Sequence, residues 1–367
     1  MMDFSAWKMD SLSAANGSFA IKLYKKLKEN DKKCNLFFSP LSISSALAMV
    51  YLGAKGNTAA QMSKVLQFEK AKNVHSSFQS LITEINKPGT DYLLRTANRL
   101  YGEKSFAFLE VSLSFSRCNV NCLYSSVISD CPTLLLLLRT LTSGTPIRDR
   151  KIPEVLSQGS VNSTTKLVLV NALYFKCDWA EKFNAEQTTE APFMLNKFSS
   201  YHFTLDDINT DPTKALTFIY IYTKCFAFCS LKRTFQLFCT FEKFQEWTHP
   251  DNMYPINVNV HLTKFKLEDS YKLKSVLSSL GMVDVFDASR ADLLGMLRSK
   301  NLYLSEVVHK TFVEINEEGT EAAAVTAGIA MMCMLREEEF NANHPFLFFI
   351  RHNETKSLMF AGRYSSP

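Results

Sequence analysis

Apolar residues recur along this chain at two spacings, and each spacing predicts its own elements. From Ser13, the residues Phe19, Leu23 and Leu27 repeat every fourth position with lysines on the other side. That pattern predicts an amphipathic helix, ended by Asp31 and the lysines after it. The run NLFFSP that begins at Asn35 reads as a short buried strand and a turn. Residues 42–52 are small and apolar, which predicts a deeply buried helix stopped by Gly53 and Gly56, with Thr58 expected to cap the next one. Residues 92–101 and 165–176 read as central strands. The second, TKLVLVNALYFK, is almost continuously apolar, as a strand must be when both faces are covered. Further strands are expected at 264–267 and 307–315. A helix is expected at 270–280, with Leu273, Val276, Leu277 and Leu280 on one side and Gly281 as terminator. Two last strands, 344–349 and 357–362, flank a polar turn at 352–356.

Two stretches break this order. Residues 110–150 carry Cys118, Cys122, Cys131 and a leucine run, with poor helical periodicity; residues 198–240 carry Cys225, Cys229, Cys239 and crowded Phe and Tyr. No internal repeat and no Pro-, Gly- or Ser-rich linker divides the chain. The length alone would suggest roughly two or three domains, but a mixed α+β fold can run this long as one.

Composition narrows the functions. The chain has 367 residues, 46% of them hydrophobic, enough for a sizeable core. Its net charge is only +5 and its basic residues are scattered, unlike a nucleic-acid groove. The pairs Lys25-Lys26 and Lys32-Lys33 read as solvated surface. The start, MMDFSAWKMD, has no long apolar core and does not read as a secretion signal. No apolar run approaches the roughly 18 residues of a spanning helix, so no membrane partner is expected. Nine cysteines without paired spacing favour a reducing, cytoplasmic compartment, in which sequons at Asn16, Asn162 and Asn353 carry no meaning. No G-x-S-x-G, H-E-x-x-H or glycine-rich phosphate loop is present, so no catalytic residue of an enzyme is expected. Cys225, Cys229 and Cys239 lack nearby His and make a poor zinc set; neither metal nor cofactor is expected.

The segment GTEAAAVTAGIA at 319–330 is unusual. It holds no Pro and almost only small side chains. Drawn as a strand, one face carries Thr320, Ala322, Ala324, Thr326, Gly328 and Ala330; the other carries Glu321, Ala323, Val325, Ala327 and Ile329. The first face is small enough to be buried between two existing strands without overpacking. The segment therefore reads either as a plain alanine-rich loop or as a loop that can become an inserted strand.

Four motifs in order decide between these. NLFFSPLSISSALAMVYLGAKGNTAAQM, TKLVLVNALYFKCDWAEKF, VVHKTFVEINEEGTEAAAVTAG and NHPFLFFIRHNETKSLMFAGRYSSP resemble successive signatures of the serpins, the last that of the ovalbumin-like, intracellular clade (clade B). The resemblance implies a serpin fold of three β-sheets with about nine helices and an exposed reactive-centre loop, in a single domain from Met9 to the end. Residues 1–8 then look appended, and 110–150 and 198–240 atypical. In the second of these, central strands of the second sheet are expected to be missing, which opens a reading of the chain as an aberrant product without activity.

The function implied is inhibition of serine proteases, with the loop as bait. GIAMMCMLREEEF is similar to loops of that clade in which a Cys-Met bond follows an alanine-rich hinge. This places the attacked bond at Cys333–Met334, with Met332–Cys333 as alternative. A soft, uncharged side chain before the bond suits elastase-like, chymotrypsin-like and cathepsin G-like enzymes rather than a pocket built for Arg or Lys. The hinge implied is Glu317, Gly319, Thr320, Glu321, Ala322, Ala323 and Ala324. The motifs also imply a hydrogen-bonded shutter of Ser39, Ser42, Asn171 and His309, and a breach at Trp179 and Lys264, the lysine tethering Glu317. Thr263 stands where the family usually has Pro. A monomer is expected, in the cytoplasm or released by an unconventional route. A non-inhibitory serpin stays open as the other reading, although its usual mark, bulky or charged inward hinge residues, is absent.

Overall fold

The strands are made by the apolar runs, and they assemble into three groups. The computed structural model describes residues 11–30, 34–71, 73–89, 92–103, 106, 108–109, 122–126, 164–177, 179, 182–194, 216–219, 227–231, 240–249, 252, 258–298, 301–317 and 338–367. The main sheet contains β2 (Tyr92–Gly102), β3 (Cys122–Ser126), β4 (Leu167–Cys177), β8 (Phe265–Lys272) and β9 (Leu304–Ile315), in the order β3-β2-β4-β9-β8. A second sheet contains β1 (Leu36–Phe38), β5 (Leu216–Ile219), β6 (Ala227–Leu231), β11 (Phe346–His352) and β12 (Ser357–Tyr364), in the order β1-β12-β11-β6-β5. A parallel pair, β7 (Val258–Leu262) with β10 (Glu338–Ala342), forms the third group. The expected three sheets are present.

Aromatic rings fill the space between the first two sheets. Phe37 of β1 stacks on Phe360 at 5.1 Å and on Phe348 at 5.7 Å, and Phe175 of β4 meets Phe360 at 5.2 Å. These rings are buried, and each removes a large apolar area from water.

Among the described residues there are six α-helices, which corrects the expected count of about nine: α1 (Ser11–Asn30), α2 (Pro40–Gly53), α3 (Gly56–Leu66), α4 (Val74–Ile85), α5 (Phe241–Trp247) and α6 (Lys274–Ser279). Three further helical pieces, Phe68–Lys70, Ala185–Gln187 and Asp284–Phe286, are single 3-10 turns, the short form such helices usually take. The four-residue spacing of Phe19, Leu23 and Leu27 does form a buried stripe on α1, with Lys22 and Lys25 exposed. Asn16, the first residue of a sequon, lies buried there and donates to the Leu358 carbonyl at 2.9 Å.

Three local expectations change. Helix α2 begins earlier than expected because Ser39 caps it and Pro40 opens it, Pro lacking only an N–H that would go unbonded there. Thr58 is no cap: Lys55 holds that place, and the Thr58 hydroxyl accepts from the Asp292 amide at 3.0 Å. The helix expected at 270–280 starts only at Lys274, because β8 continues to Lys272 with an alternating inward and outward pattern. Gly281 does follow that helix, at φ +109°, a backbone angle favourable to glycine. In the stretch where strands were expected to be missing, β5 and β6 continue the second sheet, with Cys229 opposite Leu347.

Candidate functional site

Parallel strands β4 and β9 lie side by side at the centre of the main sheet, in register from Leu167–Leu304 to Phe175–Val313 with one irregularity near the start. Their connection runs through much intervening chain, so the seam between them is a contact of distant segments. Polar groups gather at two points along it.

The first point is buried. Asn171 on β4 stands opposite His309 on β9, and both face α2. The His309 Nε2 accepts the Ser39 backbone N–H at 3.0 Å, so its proton sits on Nδ1, which faces the Asn171 side-chain oxygen. The Asn171 amide nitrogen donates to the Ser42 hydroxyl and to the Asn98 side-chain oxygen. Ser39 Oγ donates to the Met359 carbonyl at 2.6 Å and accepts from the Ser42 N–H at 3.2 Å. Burial pushes the His309 pKa down to about 3, so the ring is neutral, as this pattern of one donor and one acceptor needs. The four residues expected in the shutter thus meet. Asn98 was missed: it lies in a strand that also carries Arg95, Thr96 and Arg99, and only the register sets it opposite Asn171. Thr311, two residues beyond His309, extends the network by donating to the Phe37 carbonyl at 2.8 Å.

The second point lies at the end of β9, about 23 Å along the strand at the usual rise per residue. Trp179 Nε1 donates to the Asn316 carbonyl at 2.7 Å, and its ring meets Phe183 edge-on at 5.4 Å. The Phe183 N–H donates to the Glu317 carbonyl at 3.1 Å. Lys264 Nζ lies 3.0 Å from the Glu317 carboxylate, and the Thr188 hydroxyl bonds the same carboxylate. Bonds from its own backbone N–H and from Lys264 hold the Glu317 carboxyl below its ordinary pKa. Lys264 is 61% exposed, so the ion pair itself is weakened by solvent. Thr188 and Phe183 were not singled out from sequence, since ordinary residues in an irregular segment carry no pattern. Thr263 has a role of its own: its hydroxyl donates to the Ala342 carbonyl at 2.8 Å, a bond proline could not make.

The other expected site residues, Gly319, Thr320, Glu321, Ala322, Ala323, Ala324, Met332, Cys333 and Met334, lie outside the described residues. Among the described residues, no three His, Cys, Asp or Glu side chains converge as metal ligands, and no helix is long and apolar enough to cross a membrane.

A mixed fold with a parallel seam, bolted in its middle and latched at the end that leads into a bait-like segment, defines a class in which the sheet itself can be the working part. The profile of the serpins, described as serine protease inhibitors, matches residues 14–130, 143–205 and 234–367. The unmatched stretches 131–142 and 206–233 lie inside the two regions of irregular pattern. A leukocyte elastase inhibitor of Xenopus tropicalis is 52% identical over 398 residues, covering 98% of this chain and all of that one. The leukocyte elastase inhibitor of Homo sapiens is 46% identical over 385 residues with the same coverage. Among solved structures, uncleaved ovalbumin superposes with a TM-score of 0.82 at 30% identity, covering 97% of this chain and all of ovalbumin. The chain belongs to the serpin family, in its ovalbumin-like clade. It is a protease inhibitor of the reactive-loop kind and not an enzyme.

Proposed function

We propose that this chain traps elastase-like, chymotrypsin-like and cathepsin G-like serine proteases as a single-use substrate, through the bond Cys333–Met334. The observation that carries the reading is the β4–β9 seam, two parallel central strands joined along one ladder and held by small polar networks. If they part, each presents a row of backbone donors and acceptors that an entering strand can satisfy. The small-residue face of 320–330 supplies such a strand, and relatives bearing the name leukocyte elastase inhibitor support the choice of protease.

The chemistry belongs to the protease. Its serine oxygen adds to the Cys333 carbonyl, the peptide bond to Met334 breaks, and the Met334 amine leaves after taking a proton from the protease's base. The chain is then an ester of the protease, and the freed loop enters the seam before water can hydrolyse it. Trapping is a race between insertion and deacylation. Glu317, at the latch, is where insertion begins, and Thr320 is the first inward side chain beyond it. Kinship with ovalbumin-like relatives is consistent with a cytoplasmic location; release by an unconventional route belongs to the same proposal.

The test is incubation with neutrophil elastase, followed by a denaturing gel and mass measurement of the released fragment. The expected result is a stable complex of summed mass and a fragment that begins at Met334. A fragment beginning at Cys333 moves the bond to Met332–Cys333. Cleavage without complex overturns trapping and leaves a non-inhibitory serpin.

A further inference from the structure

Strand β10 follows the bait segment directly, and its pairing with β7 makes a flat polar face. Glu339 and Asn341 are exposed on β10, while Phe340 and Ala342, which alternate with them, are buried. On β7, Asn259 and His261 are exposed, and they stand in register with Glu339 and Asn341. In a parallel pair, residues in register point to the same side, so these four side chains form one patch. The patch has a fixed base. Thr263 holds the Ala342 carbonyl at 2.8 Å, and the Met194 N–H donates to the Asn343 carbonyl at 2.7 Å.

Chain length then sets how far this patch is from the chemistry. Glu339 is five residues beyond Met334. A fully extended chain covers at most about 3.6 Å per residue, so the Glu339 backbone lies within roughly 18 Å of the attacked bond, whatever path the chain takes. A standard protein interface covers about 800 Å² on each partner, a disc of roughly 16 Å radius. A protease bound at Cys333–Met334 therefore reaches the edge of this patch or covers it. The exposed Glu339 gives this face a negative charge.

We propose that the Asn259–His261–Glu339–Asn341 face is an auxiliary docking surface for the target protease, selecting enzymes whose rim is basic on the side facing the departing half of the loop. The inference rests on the trapping reaction proposed above and adds a contact that sets its rate and selectivity. A charge at the rim of an interface acts chiefly on the association rate and its salt dependence. Because β10 is already paired and pinned, little ordering opposes its use on binding.

The experiment measures the association rate of the full chain with neutrophil elastase, taken as a cationic elastase-type protease, at low and high salt. It compares the unaltered protein with Glu339→Gln and Glu339→Lys, each checked for an unchanged thermal transition. The expected result is a rate lowered about twofold by Glu339→Gln and about fivefold or more by Glu339→Lys at low salt, with the differences shrinking at high salt. The number of inhibitor molecules consumed per protease should stay constant, since insertion is untouched. Equal rates for all three proteins, a faster Glu339→Lys variant, or a change confined to the number consumed would overturn the docking surface while leaving trapping in place. Failure of the unaltered chain to form any complex would instead remove the reading on which the surface rests.

Discussion

His309 links Ser39 to Asn171 in the buried network of the seam, and its chemistry gives a pH dependence with a definite sign. The ring must accept through Nε2 and donate through Nδ1, so only the neutral form fits. Its pKa is pushed by burial from 6.5 to about 3. Between those values the unfolded chain binds the proton and the folded one does not, so stability rises with pH through this window. The contribution is complete above about pH 6.5 and is lost progressively as pH falls toward 3. Tyr271 stacks over the ring, and its hydroxyl donates to Asp269, whose pKa burial raises. A raised carboxyl acts in the opposite sense, favouring the fold at low pH. The net slope near pH 5 is therefore informative only against a variant. His309→Gln should be less stable at pH 7 and should lose less on going to pH 4.5, as read by thermal unfolding. An identical loss in both proteins would remove His309 as the cause.

At the scale of elements, the packing around α2 and the loop after α6 is set by glycine. The Gly295 N–H donates to the Gly53 carbonyl at 2.9 Å, and a Cβ on Gly295 would lie 2.8 Å from that carbonyl oxygen and 2.9 Å from the Gly53 Cα. Both obstacles are backbone and cannot turn aside. Gly295→Ala should destabilise the protein by about 1–3 kcal/mol, the usual range for overpacking, measured by urea unfolding. A neutral result would mean that α2 can shift without loss.

The same scale explains what the sequence could tell. Strands β4, β11 and β12 were legible because their apolar runs are long, while β9, which also carries Glu306, His309, Lys310, Thr311 and Glu314, was legible from its Val307–Val308 and Phe312–Val313 pairs. Helix α1 was legible from its stripe. Strands β5 and β6 were not, since runs of four and five residues set among crowded aromatics give no clear period. The extension of β8 to Lys272 was hidden because its last residues are polar and half exposed. At the site, Ser39, Ser42, Asn171 and His309 carried a motif, and so did Trp179 and Lys264. Asn98, Thr188 and the backbone of Phe183 act through the register and path of the folded chain, which no local pattern records.

For the whole molecule, function depends on the free energy released when the seam accepts a strand. Thr320 should be the first inward side chain to enter. Thr320→Arg asks a charge to leave water beside the seam, which costs several kcal/mol without a partner. Insertion should slow while attack on the Cys333–Met334 bond does not. The variant should then be cleaved at the normal rate and yield mainly free protease, as measured by the number of inhibitor molecules consumed per enzyme. Unchanged trapping would place Thr320 outside the inserted face.

The most direct measurement compares thermal unfolding before and after the bait loop is cut. If the freed segment becomes a central strand of the main sheet, its backbone gains partners on both sides and its small face is buried between β4 and β9. The transition should move upward by roughly 10 °C or more. A cleaved chain that unfolds at the same temperature, or lower, would contradict insertion at this seam.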